Sequence, residues 1–397
     1  MDNGRMDALA DDWGASGLAY LTGDPAGAPD YSRAAALAAA RSVTAEFETR
    51  TGVRVDTAQE LAGRAALLGL ARRGRTSAGG ASRILPTADG WWALTLSRPD
   101  DVDTVPALIE NDATVDPWRA VRDWSSTRGV AEVVERARLL DLPAAVLGEA
   151  VAQPPTVRQT GPRSAPRSAA GLVVVDLSSM WAGPSCGRLL LRAGATVVKV
   201  ESPGRPDGSR GGPRSFFDWM NGGKLSYAIE FDNAGRLREL LAIADVVIES
   251  SRPAALRRRG LGPDDVAARD GRVWLSITGH ADTGRVAFGD DAAVAGGLVG
   301  RGADGPVFCA DAIADPLTGL HSALEVVRSL RRGGGETVHV VMSEVAATYA
   351  ALPQTVPSVP AEAAPPAPPG TTSPASELDG DRARVDRLID ERRLAPC

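Results

Sequence analysis

Residues 172–201 read LVVVDLSSMWAGPSCGRLLLRAGATVVKVE, and this stretch decides the fold class. Its two apolar runs, LVVVDL and ATVVKVE, are typical of parallel strands buried on both faces. Between them Gly183 and Pro184 open a helix, because a proline in the first helical turn loses no hydrogen bond. The stretch therefore predicts a strand, helix, strand unit whose first turn suits a phosphate or a nucleotide. It lacks a GxGxxG pattern, which argues against a plain dinucleotide site.

The rest of the chain predicts an α/β protein with an open, mostly parallel, Rossmann-like sheet and a smaller α+β domain placed N-terminal to it. Strand-like and helix-like segments alternate after the opening unit and end with the strand ETVHVVM. A segment rich in Pro, Ser and Arg divides the chain in two. The predicted parts are a smaller α+β domain at 1–152, a linker at 153–170, the α/β domain at 171–352 and a disordered tail at 353–397.

Composition excludes several classes of protein. The chain has 397 residues, a formal net charge of -6 and 44% hydrophobic residues, with no apolar run long enough to span a bilayer. The negative charge argues against a general nucleic-acid binder. The three cysteines have neither metal spacing nor the pattern of a disulfide framework. Because the start of the chain has no signal-peptide pattern, we expect a cytoplasmic protein with no metal, no nucleic-acid partner and no membrane segment.

Lysine is almost absent from this chain. Of its 44 basic residues, Lys199 and Lys224 are the lysines, and the others are arginine. A compact ammonium group can be kept for contact with a phosphate. For Lys224, a contact with phosphate and a lysine retained in a turn by chance are both open interpretations. For Lys199 the pattern VVKVE favours a strand residue without a ligand.

Asp315 is the strongest candidate for chemistry. The three histidines show no metal spacing and no serine lies in a nucleophile elbow, which leaves carboxylates. Asp315 directly precedes Pro316 at the start of a predicted helix. It is either a simple N-cap or a nucleophile, since a carboxylate is ionised at neutral pH and can attack a thioester without a partner base.

Five motifs in one order give the chain a resemblance to a known family. They are DLSSMWAGPSCGRLLLRAGATVVKVESPG, NGGKLSYAIEF, ADVVIESSRPAALRRRGLG, VWLSITGHADTG and ADPLTGLHSAL. Together they cover about residues 171–345 and resemble the family III coenzyme A transferases, which include formyl-CoA transferase and α-methylacyl-CoA racemase. The specificity lies in the joint order, since no single motif decides it.

The resemblance implies roles for individual residues. Asp315 takes the position of the family's nucleophile, and this raises the catalytic interpretation above the N-cap. Residues matched to CoA or substrate contacts are Met180, Trp181, Ala182, Lys224, Ser250, Arg258, Asp290, Gly79 and Gly80. Of these, Lys224 and Arg258 match phosphate contacts, which is chemically sensible for an ammonium and a guanidinium. For Trp181, narrowing of the acyl pocket and simple packing both stay open.

Two departures from the family pattern stand out. The racemase branch has a histidine where this chain reads Gly289-Asp290-Asp291, and its loss argues against racemisation, which needs an acid and a base on opposite faces. Asp290 is either an active-site residue or an acidic helix start. The Gly79-Gly80 loop resembles the family's glycine-rich loop, yet it precedes the catalytic segment, which predicts a rearranged domain order.

The activity that the resemblance implies is transfer of CoA from an acyl-CoA to a free carboxylate through an aspartyl-CoA thioester. The substrates would be acyl-CoA and a carboxylic acid, with no permanently bound cofactor and a homodimeric assembly. The alternatives are an acyl-CoA racemase or isomerase of the same superfamily and a non-catalytic CoA-binding or partner subunit.

A weak internal similarity accompanies the rearranged order. The segment from Ser16 and the segment from Gly296 share a Gly-Leu pair, a Gly-Pro turn and a helix of small residues. This predicts either a duplicated, rearranged gene or a coincidence in a chain rich in Ala and Gly.

Overall fold

The computed structural model of the protein describes residues 3–111, 116–232, 234–359, 361–370 and 373–394. Parts of the predicted domains fall outside these described residues, namely 1–2, 112–115, 233, 360, 371–372 and 395–397. The strands are β1 (Ser82–Pro86), β2 (Trp91–Thr95), β3 (Ala144–Val146), β4 (Thr156–Gln159), β5 (Val173–Asp176), β6 (Thr196–Glu201), β7 (Leu225–Ala228), β8 (Val246–Glu249), β9 (Val273–Thr278), β10 (Val299–Gly302), β11 (Gly305–Phe308) and β12 (Glu336–Val341).

Helices cover both faces of the larger sheet and both faces of the smaller one. They are α1 (Asn3–Ala15), α2 (Ala35–Thr51), α3 (Thr57–Leu68), α4 (Pro99–Asp103), α5 (Val105–Ile109), α6 (Pro117–Ser125), α7 (Val130–Leu139), α8 (Ala182–Arg192), α9 (Arg214–Asn221), α10 (Gly235–Ile243), α11 (Pro253–Arg257), α12 (Gly289–Ala295), α13 (Ala314–Arg331), α14 (Met342–Ala350) and α15 (Arg382–Leu394). In the part of the chain that the structure describes, no helix has the length and apolar character needed to cross a bilayer.

The larger sheet confirms the predicted α/β class. Within the described ranges it has seven strands in the order β4-β12-β9-β8-β5-β6-β7. Its neighbours are parallel, except that β4 runs antiparallel to β12. Strand β5 is followed in the chain by α8 and then by β6, which lies on one side of β5. Strand β8 lies on the other side of β5. Such a reversal of strand order opens a crevice at the carboxyl ends of the strands, where ligands bind in folds of this kind.

The helix of the opening unit packs unusually close to a second helix. Helix α8 starts at Ala182 and lies against α13. A Cβ atom on Gly319 of α13 would lie 2.9 Å from the Ser185 Cβ atom of α8. Because only glycine fits there, the start of α13 is held beside the first turn of α8 and the loop that follows β5.

The N-terminal region is divided between two units, which corrects the predicted boundary at 1–152. Trp13, Leu18 and Leu37 share one hydrophobic core with Leu317 of α13 and Val174 of β5. Helices α1–α3 therefore pack on the large sheet's unit, because their apolar faces complete its core. The smaller antiparallel sheet has the order β1-β2-β3.

Tryptophans build the core of the smaller unit. Trp92 is fully buried and Trp124 nearly so, among apolar residues of α5, α6 and α7. The unit contacts the larger one through α12, which packs against β2 and β3. Its β1–β2 hairpin therefore lies directly over the start of α12.

The linker and the tail are more ordered than predicted. Within the predicted linker, β4 adds an edge strand to the large sheet. The predicted disorder is wrong for residues 382–394, since α15 buries Val385 and Ile389 in the core that contains Tyr227. The Pro-rich segment before it runs across the N-terminal helices, and Pro366 approaches Gly17. Burial of these apolar side chains holds the tail on the domain.

The two segments that resemble each other in sequence pack together. The Thr22 hydroxyl accepts a hydrogen bond from the Ala310 N–H group at 3.0 Å. The Arg33 guanidinium donates to the carbonyl groups of Gly297 and Val299. Helices α2 and α13, which follow the two segments, also pack against each other. The N-terminal segment thus supports the segment that leads into Asp315.

Candidate functional site

Asp315 occupies the second position of α13, where its carboxylate faces the first turns of two other helices. The backbone N–H groups of Ala182 and Gly289 donate hydrogen bonds to this partly buried carboxylate. The cap position belongs to Ile313, so the interpretation of Asp315 as a simple N-cap is wrong. Burial, opposed by the Arg64 charge and aided by the Asp290 carboxylate, raises the pKa of Asp315 to about 7. The side chain can therefore change its protonation state near neutral pH.

Gly289 leaves no room between α12 and the Asp315 carboxylate. A Cβ atom at this position would lie 2.3 Å from Asp315 Oδ2 and 2.4 Å from the Ala312 carbonyl oxygen. Glycine is required here because real Cβ atoms do not approach other atoms this closely. The backbone N–H of Gly289 can thus reach the carboxylate directly.

Arg64 is a site residue that the sequence did not reveal. Its Nη1 atom lies 2.6 Å from Asp311 Oδ1, and its guanidinium stacks over the rings of Trp181 and Phe216 at 5.6 and 5.5 Å. Its charge also acts on Asp290 and Asp315. Nothing in the helix TAQELAGRAALL separates this arginine from the many others in the chain.

Asp290 lies close enough to Asp315 for its charge to act on that carboxylate. Its Oδ2 atom accepts a hydrogen bond from the Ser82 hydroxyl at 2.9 Å, and its Oδ1 atom accepts one from the Ala312 N–H group at 3.1 Å. Burial, with the Asp311 carboxylate adding to it, raises the pKa of Asp290 to about 6. We call Asp290, Asp311 and Asp315, together with Arg64, the aspartate cluster.

Asp291 and Thr95 lie next to the aspartate cluster. The sequence analysis predicted no role for either residue. The Thr95 hydroxyl donates to Asp291 Oδ1 at 3.0 Å and lies 2.9 Å from the Ser82 hydroxyl. Burial raises the pKa of Asp291 to about 7. A strand hydroxyl has no sequence signal that marks it as a partner of a distant carboxylate.

The Gly79-Gly80 loop lies beside Arg64. A Cβ atom on Gly79 would lie 3.5 Å from Arg64 Nη2. Gly80 has a φ of 85°, a conformation that favours glycine. The neighbouring Ser77 side chain hydrogen-bonds to Asp290. The smaller unit therefore supplies one wall of the cluster around Asp315.

The loop after β5 supplies another wall. Trp181 is 2% exposed and packs edge to face on Phe216 with 5.5 Å between ring centroids. This burial favours packing over a direct role in an acyl pocket. Met180 is 39% exposed, has a φ of 72° and donates its N–H to Asp207. The backbone N–H group of Ala182 donates to the Asp315 carboxylate, and contact of Ala182 with CoA stays a prediction.

Ser250 and Arg258 are not among the groups that act on the Asp315 carboxylate in the described part of the chain. The Ser250 hydroxyl accepts a hydrogen bond from the Ser179 N–H group at 3.3 Å, which ties the end of β8 to the loop after β5. Arg258 is exposed just after α11. Ser250 directly follows β8 and therefore lies at the carboxyl edge of the large sheet, whereas the aspartate cluster lies at the start of α13.

The predicted phosphate contact by Lys224 is wrong in this structure. Lys224 is 3% exposed, and its Nζ atom donates to Asp176 Oδ2, the Pro184 carbonyl and Asn221 Oδ1 at 2.9, 2.9 and 3.0 Å. An ammonium has three donors, so all of them are used inside the protein. The lysine stabilises the fold beneath α8 and does not reach a ligand.

Lys199 is buried in the same region. Its Nζ atom lies 2.7 Å from Asp207 Oδ2. Although burial opposes the charged form, the Asp207 and Asp176 carboxylates hold the pKa of Lys199 above its usual value. We call Lys199, Lys224, Asp176 and Asp207 the lysine network.

Comparison with known proteins identifies what the chain resembles. The family described as CoA-transferase family III matches residues 170–379, which is more than half of the chain. The succinyl-CoA–L-malate CoA-transferase beta subunit of Chloroflexus aurantiacus is 31% identical over 198 residues, covering 44% of this chain and 49% of that protein. The succinate–glutarate CoA-transferase of Agrobacterium fabrum is 29% identical over 203 residues, covering 44% and 51%.

Among solved structures, a hypothetical protein of Mycobacterium tuberculosis matches with a TM-score of 0.42 and 27% identity, over 46% of this chain and 57% of that one. The chain spans about half the length of the curated relatives it matches, with 49% and 51% coverage of the two named above. The matched half contains β5, α8 and Asp315. The smaller unit with Gly79 and Ser82 lies outside the family match.

Proposed function

We propose a coenzyme A transfer activity for this chain, which belongs to CoA-transferase family III. The chain would move CoA from an acyl-CoA to a free carboxylate. The relatives named as CoA-transferases support transfer of CoA in general. The observation that carries the proposal is the Asp315 carboxylate, which lies in the family-matched region with two backbone N–H groups directed at it.

The proposed reaction uses Asp315 as the nucleophile. Its carboxylate attacks the thioester carbonyl of an acyl-CoA, the C–S bond breaks, and an acyl-aspartyl anhydride and a CoA thiolate form. The thiolate then attacks the aspartyl carbonyl, which gives an aspartyl-CoA thioester and releases the acyl group as a carboxylate. An acceptor carboxylate repeats these steps in reverse and leaves with CoA, so the carboxylate of Asp315 is regenerated.

Backbone N–H groups of the site would assist the two steps in which the aspartyl carbonyl of residue 315 is attacked, first by the CoA thiolate and later by the acceptor carboxylate. The N–H groups of Ala182 and Gly289 already donate to its carboxylate. They would stabilise the negative oxygen that develops when the thiolate attacks the aspartyl carbonyl. Because both groups belong to helix starts, they are held in place before the reaction.

CoA itself would bind along the crevice at the carboxyl ends of the strands. Ser250 lies between β8 and the loop after β5, and Arg258 is exposed just after α11. Met180, which is exposed in the loop between β5 and α8, would also contact the bound CoA. In place of Lys224, we propose that Arg258 contacts a phosphate of CoA, since an exposed guanidinium can bind phosphate with two parallel hydrogen bonds.

An exchange assay tests the proposed function. The protein is incubated with a panel of acyl-CoAs and isotope-labelled free carboxylates, and new acyl-CoAs are identified by mass spectrometry. We expect exchange by the wild type and a decrease of about 10³-fold or more in Asp315→Asn, with CoA binding retained in calorimetry. Near-normal exchange by the variant would refute the role of Asp315.

A second candidate is a chain that acts together with a different subunit, because one relative is named as a beta subunit. It predicts CoA binding without exchange until the partner is added. For the chain acting by itself we propose a homodimer in the cytoplasm, and light scattering tests the dimer.

A further inference from the structure

Asp311 occupies an unfavourable position near the start of α13. Its side chain is 1% exposed, and its Oδ2 atom is buried without a hydrogen-bond partner among the described residues. The neighbouring Ala310 and Ala312 have φ values of 56° and 43°, which residues other than glycine rarely adopt. A buried carboxylate with one unpartnered oxygen, set in strained backbone, opposes folding. Stability therefore does not account for an aspartate at this position.

Hydrogen bonds on both sides of Asp311 hold this strained segment in place. The Ala310 N–H group donates to the Thr22 hydroxyl at 3.0 Å, and the Ala312 N–H group donates to Asp290 Oδ1 at 3.1 Å. Between these two contacts, Asp311 Oδ1 lies 2.6 Å from Arg64 Nη1. Burial raises the pKa of Asp311, but a guanidinium at this distance favours the ionised carboxylate. The segment thus holds a carboxylate against Arg64.

The contact with Asp311 cancels the charge that Arg64 could offer to a substrate. The Arg64 side chain is 24% exposed, so part of its guanidinium is accessible. Arg64 is the cation that acts on both Asp311 and Asp315, and the Asp290 carboxylate lies within range of the same guanidinium. The pair of Arg64 and Asp311 carries no net charge, whereas Asp290 and Asp315 repel an additional carboxylate.

The proposed reaction leaves room for one substrate carboxylate at a time. In the aspartyl-CoA thioester, residue 315 carries no charge, because its carboxylate has become a thioester. The reacting carboxylate of the acceptor then restores the charge that the site had before the reaction began. A dicarboxylic acid would bring one negative charge more than the resting site holds. With Arg64 already paired, that second carboxylate meets like charges and no uncompensated cation in the described cluster.

The side chains around Arg64 suit a hydrocarbon chain. The rings of Trp181 and Phe216 lie against the guanidinium, with 5.6 and 5.5 Å from its central carbon to the ring centroids. The partly buried Leu67 and Ala312 pack on the same aromatic cluster. Apolar surface of this kind favours an apolar acyl chain, because contact with it removes hydrocarbon from water. Charge and packing therefore favour the same class of substrate.

We propose that Asp311 determines the substrate class by masking the charge of Arg64, so that the site favours acids with one carboxylate and a hydrocarbon chain over dicarboxylic acids. This inference rests on the proposed function. It separates the chain from the relatives named for malate and glutarate, which are dicarboxylates. Asp311 is a specificity-determining residue in this scheme, because it acts on the substrate through the charge of Arg64.

Binding of unreactive CoA thioethers tests the charge preference without turnover. The matched pair is S-pentyl-CoA and the thioether of equal carbon number that ends in a carboxylate, and neither has a carbonyl group for Asp315 to attack. By calorimetry we expect the wild type to bind the uncharged thioether about tenfold more tightly. Asp311→Asn unmasks Arg64 and should reduce this preference about tenfold, whereas Asp311→Glu should retain it. An unchanged preference in Asp311→Asn would overturn the proposal.

The double variant Arg64→Gln with Asp311→Asn separates charge from structure. Its pair is neutral again, so the preference between the thioethers should return to that of the wild type. Weakened preference that persists without Arg64 would show a structural effect of the change at 311 and overturn the proposal.

Exchange kinetics give a measurement that needs no variant. With pentanoate and glutarate as acceptors of equal carbon number, we expect kcat/KM to be about tenfold higher for pentanoate in the wild type. Equal values for the two acids would overturn the proposal. If neither acid exchanges, the proposed function fails, while the thioethers still decide the charge preference. Binding of neither thioether would refute both.

Discussion

Helix α8 touches two groups of buried charges that are built in opposite ways. In the lysine network, the Lys224 ammonium and the Lys199 ammonium face Asp176 and Asp207, so positive and negative charges are equal. Despite burial, the lysines hold the pKa of Asp207 down to about 2 and lower that of Asp176. In the aspartate cluster, the described residues place one guanidinium beside three carboxylates. Burial raises the pKa of Asp315 to about 7.

The difference shows what each group can do. A balanced, fully hydrogen-bonded network is suited to stability, because none of its carboxylates can change protonation near neutral pH. A cluster with excess carboxylates holds them near their ionisation points, which suits acid, base or nucleophilic chemistry. Four substitutions can break or sharpen this contrast.

The largest effect on stability is expected in the lysine network. Lys224→Met leaves the Asp176 carboxylate buried without its partner, and loss of one member of a buried pair costs about 3–5 kcal/mol. Urea unfolding followed by circular dichroism measures this. The control is Arg258→Ala at an exposed position, where a change within about 0.5 kcal/mol is expected. Equal effects of the two variants would contradict the stabilising role of the network.

In the aspartate cluster, the tight packing at Gly289 makes activity more sensitive than stability. A Cβ atom there would lie 2.3 Å from Asp315 Oδ2, so Gly289→Ala displaces the carboxylate, and we expect about a 10²-fold loss of exchange. The matched control is Gly235→Ala. Gly235 also begins a helix, and a Cβ atom there would have nothing within 4 Å. Normal exchange by Gly289→Ala would show that the close approach is not needed.

Removal of the cluster's positive charge should move its pH dependence. The Arg64 charge lowers the pKa of Asp315, opposing burial. In Arg64→Gln the pKa therefore rises, and the acid limb of the pH profile shifts upward by about 1 unit. Arg64→Lys keeps the charge and should shift the profile less. An unchanged profile in both variants would exclude Arg64 from control of the nucleophile.

The smallest effect is a gain in stability. Because the folded pKa of Asp315 is raised, the folded protein binds the proton more tightly than the unfolded chain, and stability falls as pH rises from about 4 toward 7. Asp315→Asn removes this loss and should raise the thermal midpoint at pH 7 by about 2 °C. At pH 4 the variant and the wild type should differ less. A gain that is larger at pH 4 would contradict the raised pKa.

The sequence predicted the strands and helices around these two groups of charges better than the chemistry of the groups themselves. The strands and helix at 172–201 were predictable because continuous apolar runs and a helix-starting proline act locally. Asp315 became a candidate from its place before Pro316 and then from the family resemblance, which also gave Asp290, and the roles of both residues stay predictions. The predicted phosphate contact of Lys224 was wrong, because the sequence around a lysine in a turn does not show that three protein acceptors surround its ammonium group. Arg64, Ser82 and Thr95 were missed because they come from the rearranged N-terminal region and meet α12 and α13 only in the folded chain.

The most direct test of the central claim is to trap the covalent intermediate. The wild type is incubated with an acyl-CoA that supports exchange and then with hydroxylamine, which converts an aspartyl thioester to a hydroxamate. Peptide mass spectrometry then locates the modified residue. We predict modification of Asp315, with the carboxylates of the lysine network unchanged. Exchange that proceeds while Asp315 remains unmodified, or modification of another aspartate in its place, would contradict the account.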